Sequence, residues 1–392
     1  QASPLDLDVL VTAKEHGEKG KSEPCPLAED WFFGLLLLQT FSGSLGQGNY
    51  GIVRQNGGFA ARPGVSLTFS HRPGPNWRRD GQAIFGSETW RSDTMFHPEC
   101  GLRLLWLMPW NGGTDEALPL AELHPLFIEI CRRVRLIRGD GDVISFRAKG
   151  TKGPRVGAKA DKGILGDPWI PINISATEPK AFNSQPRYSI AYQVMFDQST
   201  FEPCLLQLPH TTDPTGMAML TFRVFCRTKG GSDGYHERAI PLPPKGQSLL
   251  TTRRTDAVTV AKAMAVLAKD AQNKVLVPAV LQLLQAARDA PEFKQPETSA
   301  WASNCATDLD RTIDDAFFPS LWDCLDAMGE SPFEPNHLKR WSEFLTEQVR
   351  KEFLRACAAL PTSSALHYRA VAKAENFLEG SLRKNLTIKE TA

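Results

Sequence analysis

Two short stretches hold residue types at spacings that suit chemistry. The first, DGYHER over 233–238, sets Asp233, His236 and Glu237 close together, as a divalent-ion site for phosphodiester hydrolysis would. Such a site needs several carboxylates converging on one ion, and this stretch supplies two, with Arg238 beside them. An Arg–Glu structural pair at the base of a loop fits the same residues. The second, FSGSLGQGNYGIVRQNGGF over 41–59, holds Gly46, Gly48 and Gly51 in G-x-G-x-x-G spacing, the pattern of a dinucleotide loop. A dinucleotide loop follows a buried strand and opens a helix. Here AEDWFFGLLLLQTF precedes it and, lacking Val and Ile, reads as a buried helix; Gly57, Gly58 and Pro63 break up the residues after it. No acid stands about 20 residues on to hold a ribose. What the glycines do allow is a close approach of backbone to another surface. H-E-x-x-H, G-x-S-x-G and the P-loop pattern are absent. No catalytic residue, metal ligand or cofactor is therefore expected.

Elsewhere the informative feature is charge. A formal net charge of +1 hides two local excesses. Arg132, Arg133, Arg135, Arg138, Arg147, Lys149, Lys152, Arg155, Lys159 and Lys162 face only Asp140, Asp142 and Asp161 along the chain. Arg54, Arg62, Arg72, Arg78 and Arg79 are interleaved with Phe59, Phe69 and Trp77. Basic density with aromatics nearby is how nucleic acid is usually held, a solvated face being the alternative. The cysteines are scattered, without C-x-x-C or paired-His spacing, which argues against zinc and for small core residues of a reduced, cytosolic protein. No apolar run is long enough to span a membrane. The start QASPLDLDVLV has neither a basic n-region nor an initiator Met, so a fragment or processed chain is expected.

These residues need elements to position them. Residues 1–250 are rich in Pro and Gly, with strand-like runs at Val65–Phe69, Gly141–Ala148 and Gly216–Lys229 and short helices expected at Ala28–Phe41 and Leu123–Ile137. Residues 251–392 read as helical almost throughout. The first stretch carries two apolar stripes broken near Asn273 and Pro278; Pro319 should kink a later helix; Leu338, Trp341, Leu345 and Val349 recur at helical spacing. The fold class expected is α+β: an irregular mixed α+β domain over 1–250 and a C-terminal four-helix bundle over 251–392.

Four stretches, LDVLVTAKEHGEKGK, GQGNYGIVRQNGGFAARP, LPLAELHPLFIEICRRVRLI and KGILGDPWIPI…GGSDGYHERAIPLP, occur in this order. Together they resemble the CasA family, the large subunit of the type I-E CRISPR surveillance complex Cascade, from about Leu5 to Pro244. Family members usually extend further at the N-terminus. The resemblance implies a non-catalytic subunit that inspects double-stranded DNA for the protospacer-adjacent motif from the minor groove. It also implies a role in opening the duplex and in docking a helicase–nuclease. Its partners would be CRISPR RNA and the backbone, small and handle-binding subunits.

The same resemblance assigns candidate residues. A glycine loop falls on Ser44–Asn49, best represented by Gly46, Gln47, Gly48 and Asn49. A lysine finger falls on Lys159 or Lys162. A wedge under the first base pair falls on Lys229–Gly234, with Lys229, Gly231 and Ser232 at its centre, where better-known members carry a long amide side chain. Val11–Pro24 matches a loop that orders near the RNA, with Lys14, His16, Lys19 and Lys21 as contacts, or is a solvated linker. Arg54, Arg62 and Arg132 would hold nucleic-acid backbone. A metal-dependent nuclease using Asp233, His236 and Glu237, and a scaffold binding only RNA and protein, are the competing readings.

Overall fold

In a computed structural model, residues 3–7, 26–41, 48, 50, 62–87, 95–128, 130–140, 144–158, 160–161, 164–228, 231–243, 246–286, 296–360 and 364–388 are described. Their elements begin with α1 (Ala28–Phe41), β1 (Arg62–Thr68), α2 (Pro73–Gly86), β2 (Leu102–Leu104), β3 (Leu123–Ile128), β4 (Arg133–Arg138) and β5 (Ile144–Lys149). There follow β6 (Ile172–Asn173), β7 (Lys180–Ala181), α3 (Tyr188–Phe196), β8 (Phe201–Glu202), β9 (Met219–Thr228) and β10 (Gly231–Pro241). The last are α4 (Arg254–Asp270), α5 (Val277–Ala286), α6 (Pro296–Met328), α7 (Lys339–Ala358) and α8 (Ser364–Asn385). The class is α+β with a helical C-terminal region. Two compact units divide the chain: Gln1–Pro186 with Gln193–Thr251, and Arg187–Tyr192 with Thr252–Ala392.

The first unit is built on the antiparallel sheet β1-β9-β10. Val65 pairs with Phe222 and Leu67 with Leu220, and these four side chains are fully buried. β10 forms a hairpin with β9, and its register shifts between Ser232 and Gly234, a bulge that Gly234 accommodates at φ +107°. The expected strands at 65–69, 141–148 and 216–229 correspond to β1, β5 and β9.

Leu123–Ile137 is not a helix. It forms β3 and β4, with β3 parallel to β2 and β4 antiparallel to β5. Pro125 stands where a helix would need a donor, and burial alternates, with Leu123, Pro125 and Phe127 inside. The β-branched Ile128, Ile130, Val134 and Ile137 also suit extended backbone.

The expected helix at Ala28–Phe41 forms as α1. Its acids Glu29 and Asp30 sit in the first turn, and Asp30 accepts from Leu27 N at 2.7 Å. Near its end, the buried Gln39 carboxamide accepts from Cys131 N (2.6 Å) and Arg132 N (2.8 Å) and donates to Arg132 O (2.9 Å), fixing the approach to β4. Proline-rich α2 is helical because Pro73 and Pro75 lie in the first turn, whose N–H groups have no helical partner anyway.

In the second unit α4 does not break near Asn273 and Pro278. It runs through a π-helical turn, Ala271–Leu276, directly into α5. Pro278 has no N–H to give the Lys274 carbonyl one turn back, and Ser381 Oγ of α8 takes that carbonyl instead at 2.7 Å. α6 likewise continues through Pro319. The core gathers Met264, Leu283, Leu309, Phe317, Leu321, Trp341 and Val349, all buried. Trp341 Nε1 donates to Met264 O at 3.1 Å, and its ring meets Phe317 edge-on at 5.8 Å.

Candidate nucleic-acid interface

The glycine stretch is tied down at Gly48. Gly48 forms an isolated antiparallel bridge with Thr151, whose N–H donates to Gly48 O at 2.7 Å, while Thr151 Oγ1 accepts from Tyr50 N at 2.9 Å. Gly48 holds φ +82°, a conformation that L side chains rarely adopt. A Cβ built there meets no described residue within 4 Å. A Cβ at Gly150 would lie 3.1 Å from Gly48 O, so the two segments meet backbone to backbone. Gly46, Gln47 and Asn49 lie outside the described residues.

The segment that receives Gly48 leads into the lysines. Gly157 N donates to Leu118 O and Leu118 N to Arg155 O, both at 2.9 Å. Val156, Ala158 and Leu165 are buried with Phe96, Leu105, Leu123 and Phe127 in one cluster. Lys159 and Lys162 lie outside the described residues, but Ala158 before them and Leu165 after them are core anchors.

Lys229 also lies outside the described residues. Gly231 pairs with Thr228 and Ser232 with Arg227, so both stand where the β9–β10 hairpin closes. Farther down β10, Tyr235 Oη donates to Glu237 Oε2 at 3.0 Å, and Arg223 Nη2 lies 3.5 Å from Glu237 Oε1. Partial burial, with Glu237 alongside, pushes the Tyr235 hydroxyl up to about 12. Strand alternation sends His236 to the face opposite Glu237, so the two do not converge on one ion. Among the described residues no group of three His, Cys, Asp or Glu side chains is placed to hold a metal. Glu237 pairs with Arg223 on the neighbouring strand and not with the adjacent Arg238, whose Nη1 donates to Pro186 O at 3.0 Å.

The basic clusters divide by burial. Arg62 is a joint between elements: Nη1 donates to Thr40 O at 3.2 Å, Nη2 pairs with Asp167 at 3.3 Å, and the guanidinium lies 5.8 Å from the Phe41 ring centre. Arg132 is buried and donates to Cys131 O at 2.8 Å. Arg79 and Arg155 are buried too, and desolvation lowers the Arg155 pKa. Arg72, Arg78, Arg135, Arg147 and Lys149 are exposed. Lys14, His16, Lys19, Lys21 and Arg54 lie outside the described residues. Thr151 was not legible as the anchor of Gly48, because nothing in its local sequence marks it as the partner of a glycine 103 positions earlier. The facing of β4 and β5 was hidden in turn by the helical reading of 123–137.

No protein-family model matches the sequence, and no curated protein is similar to it in sequence. Solved structures do match. The chain is similar to Cse1 of Thermobifida fusca, with TM-score 0.61, 14% identity, and coverage of 97% of this chain and 76% of that one. It is similar to CasA of Thermus thermophilus, with TM-score 0.59, 17% identity, and coverage of 92% and 73%. The CRISPR-associated protein Cse1 from Acidimicrobium ferrooxidans gives TM-score 0.51 at 15% identity, over 84% of this chain; there the chain spans 65% of the neighbour's length. At these identities the likeness is one of fold.

Proposed function

We propose that this chain, which has the fold of the CasA and Cse1 CRISPR proteins, is the large subunit of a type I-E RNA-guided Cascade complex. It is not an enzyme. It reads the protospacer-adjacent motif in double-stranded DNA from the minor groove, opens the first base pairs so that guide RNA can form an R-loop, and helps recruit the helicase–nuclease in antiviral defence. It acts in the cytoplasm, with CRISPR RNA and the backbone, small and handle-binding subunits as partners. The helical unit, read as a four-helix bundle, supplies docking surfaces.

The observation that carries this reading is a CasA-like fold over 92% of the chain in which Gly48, at φ +82°, would bring a Cβ within 4 Å of no described residue. The minor groove is narrow and its code degenerate, so glycine backbone can lie against base edges where a side chain would not fit. Lys159 or Lys162 adds a donor and phosphate attraction, and the hairpin end at Lys229–Gly234 is the wedge. Unstacking a step costs a few kcal/mol, offset when guide RNA pairs with the freed strand. Arg54 and the 11–24 stretch hold nucleic-acid backbone. Arg62 and Arg132, engaged by Thr40, Asp167 and Cys131, support this site by fixing α1, β1 and β4.

The test is binding of the reconstituted complex, at one stated salt concentration, to duplexes differing only in the three flanking base pairs. Wild type should discriminate among flanks, and a Gly46→Asp/Gly48→Asp double variant should lose the favoured one. Absence of discrimination, with no effect of omitting the chain, overturns the reading. Unchanged DNA affinity on charge reversal of Lys159 and Lys162 would favour an RNA- and protein-binding scaffold.

A further inference from the structure

We infer that a cavity on the polar face of the β1-β9-β10 sheet takes a single guanine base, at a site separate from the flank-reading one and independent of it. The cavity measures about 290 Å³. Val65, Leu67 and Phe222 fill the core from one face of the sheet, so alternation places Gly64, Ser66 and Arg223 on the other, where they line the cavity. Asn76, Trp77 and Asp80 recur at helical spacing along α2 and form one wall. The half-buried Trp169 lines it as well. These walls are held by the protein itself. Asn76 Oδ1 accepts from Phe69 N at 3.1 Å and its Nδ2 donates to Ser70 O at 2.7 Å, which ties α2 to the end of β1. Trp169 O accepts from Val65 N at 2.7 Å, and Trp169 N donates to Asp167 Oδ1 at 3.0 Å.

Polar groups in the cavity are short of partners. Ser66 is 3% exposed, and its hydroxyl makes no hydrogen bond with a described residue. The Asp80 side chain is 15% exposed. Its Oδ1 has no hydrogen-bond partner among the described residues and lies 3.5 Å from Arg79 Nη1, which donates instead to Leu206 O. Burial raises the Asp80 pKa, and Arg79, Trp169 and Arg223, all close enough to act on it, do not offset this. Buried polar groups in folded proteins are nearly always satisfied, so this deficit points to a ligand that brings donors.

Charge and shape narrow that ligand. A cation is opposed by Arg79 and Arg223 beside the carboxylate, and an anion by the carboxylate itself. A neutral, planar group with donors on one edge and acceptors on the next suits both. Guanine has this pattern: N1–H and the 2-amino group for Asp80 and Ser66, O6 and N7 for Arg223. Arg223 has donors beyond its 3.5 Å pair with Glu237. Trp77, 80% exposed, offers a flat face on which an unpaired base stacks. A paired guanine has already spent its N1–H and amino group on cytosine. Free guanine nucleotide and an unpaired guanosine within a nucleic acid share the required chemistry.

The experiment is isothermal titration calorimetry of the purified full chain with guanosine monophosphate, against the inosine, adenosine and cytidine monophosphates. The guanine nucleotide should bind at one site, about tenfold more tightly than inosine monophosphate, which lacks the 2-amino group. Asp80→Asn should weaken it about tenfold and narrow its advantage over inosine, a change that a merely structural role for Asp80 would not produce. Trp77→Ala should weaken binding about fivefold or more for every base, because stacking is tolerant of sequence. A Cβ at Gly64 meets only Arg223 O, at 3.6 Å, so Gly64→Val fills the cavity without straining the strand and should abolish binding. Circular dichroism confirms that each variant is folded. Equal affinity for all four nucleotides, or guanine binding that survives Gly64→Val, overturns the inference. A short oligouridylate with one guanosine, set against the all-uridine strand, tells the sources apart. If it alone binds, the base enters as part of a nucleic acid; if neither it nor the mononucleotide binds, the inference falls. Gly64→Val should leave flank discrimination at the wild-type level. Loss of that discrimination would assign the cavity to the flank-reading site and overturn the separate one.

Discussion

Replacing Arg79 with glutamine removes the cation around which α2 and residues 206–213 are assembled. Arg79 Nε donates to Asp213 Oδ1 at 2.8 Å and Nη2 to Asp213 Oδ2 at 3.2 Å, a two-pronged pair. The same guanidinium donates to Leu206 O at 2.8 Å and Leu208 O at 2.6 Å. The side chains of Arg79 and Asp213 are 5% and 2% exposed, so the Asp213 carboxylate cannot turn to water. Removing one partner of a buried pair costs about 3–5 kcal/mol, because the other is left buried and charged. Glutamine keeps one donor group and offsets little of this. In a unit of this size each kcal/mol moves the melting temperature by about 2–4 °C, which gives a fall of about 6–20 °C. Arg78, its exposed neighbour, is the control: Arg78→Gln should move it by less than about 2 °C. Arg79→Lys keeps the charge without the fork and should fall between. Scanning calorimetry of the full chain suits the question, since the two compact units need not melt together. If Arg79→Gln melts within about 2 °C of wild type, the buried pair does not join these segments.

Other consequences are as direct. Gly48→Ala forces a side chain into left-handed backbone at about 1–2 kcal/mol, so the bridge to Thr151 should loosen; hydrogen exchange at the Thr151 amide should quicken, and flank discrimination should fall. Ser381→Ala strips the partner from the Lys274 carbonyl freed by Pro278, and urea denaturation should register a loss of about 1 kcal/mol. Burial pushes the Cys204 thiol from 9.0 up to about 12, so its contribution to stability is complete below pH 9 and is lost as pH rises toward 12; the urea midpoint should fall over that window. In the folded protein at neutral pH a thiol reagent should spare Cys204 and modify the exposed Cys100.

Local signals carried well where one element decides its own fate. α1 was legible because its acids open it and its unbranched apolar residues continue it; β9 was legible because its side chains alternate. The failures came where a distant group decides. Over 123–137 helical residues such as Leu and Arg outvoted Pro125, and pairing with β2 and β5 settled the question. At Pro278 the break was read from the residue's local cost, but Ser381, more than a hundred residues away, supplies the missing bond and the helix goes on. The basic clusters failed in the same way. A sequence shows Arg78 and Arg79 as one patch, and only the fold reveals that Asp213 has claimed the second. Charge density therefore overstated the binding surface at Arg79, Arg132 and Arg155. At β4–β5 the fold adds what linear order does not show, with Arg133 set opposite Lys149 and Arg135 opposite Arg147.

The hairpin end bears on how recognition and opening divide between elements. Where the resemblance implies a long amide side chain, this chain has Gly231 and Ser232, poor wedges by size alone. A wedge transmits force only if its base does not yield, and an isolated two-stranded hairpin is marginal in water. Here β9 and β10 pair from Met219 and Pro241 up to Thr228 and Gly231, and β9 carries β1 on its other edge through seven residue pairs. Leu220, Phe222 and Val224 fix the middle of the hairpin in the core. The bulge between Ser232 and Gly234 adds local twist near this end of the sheet. A load of a few kcal/mol at the turn would thus be carried by the sheet as a body and not by one side chain. On the proposed reading, sequence preference belongs to the glycine loop and its lysines, which touch base edges. Opening belongs to the backbone of a braced hairpin, and small residues at its end are compatible with that task because a bare turn can enter where a side chain would have to be accommodated.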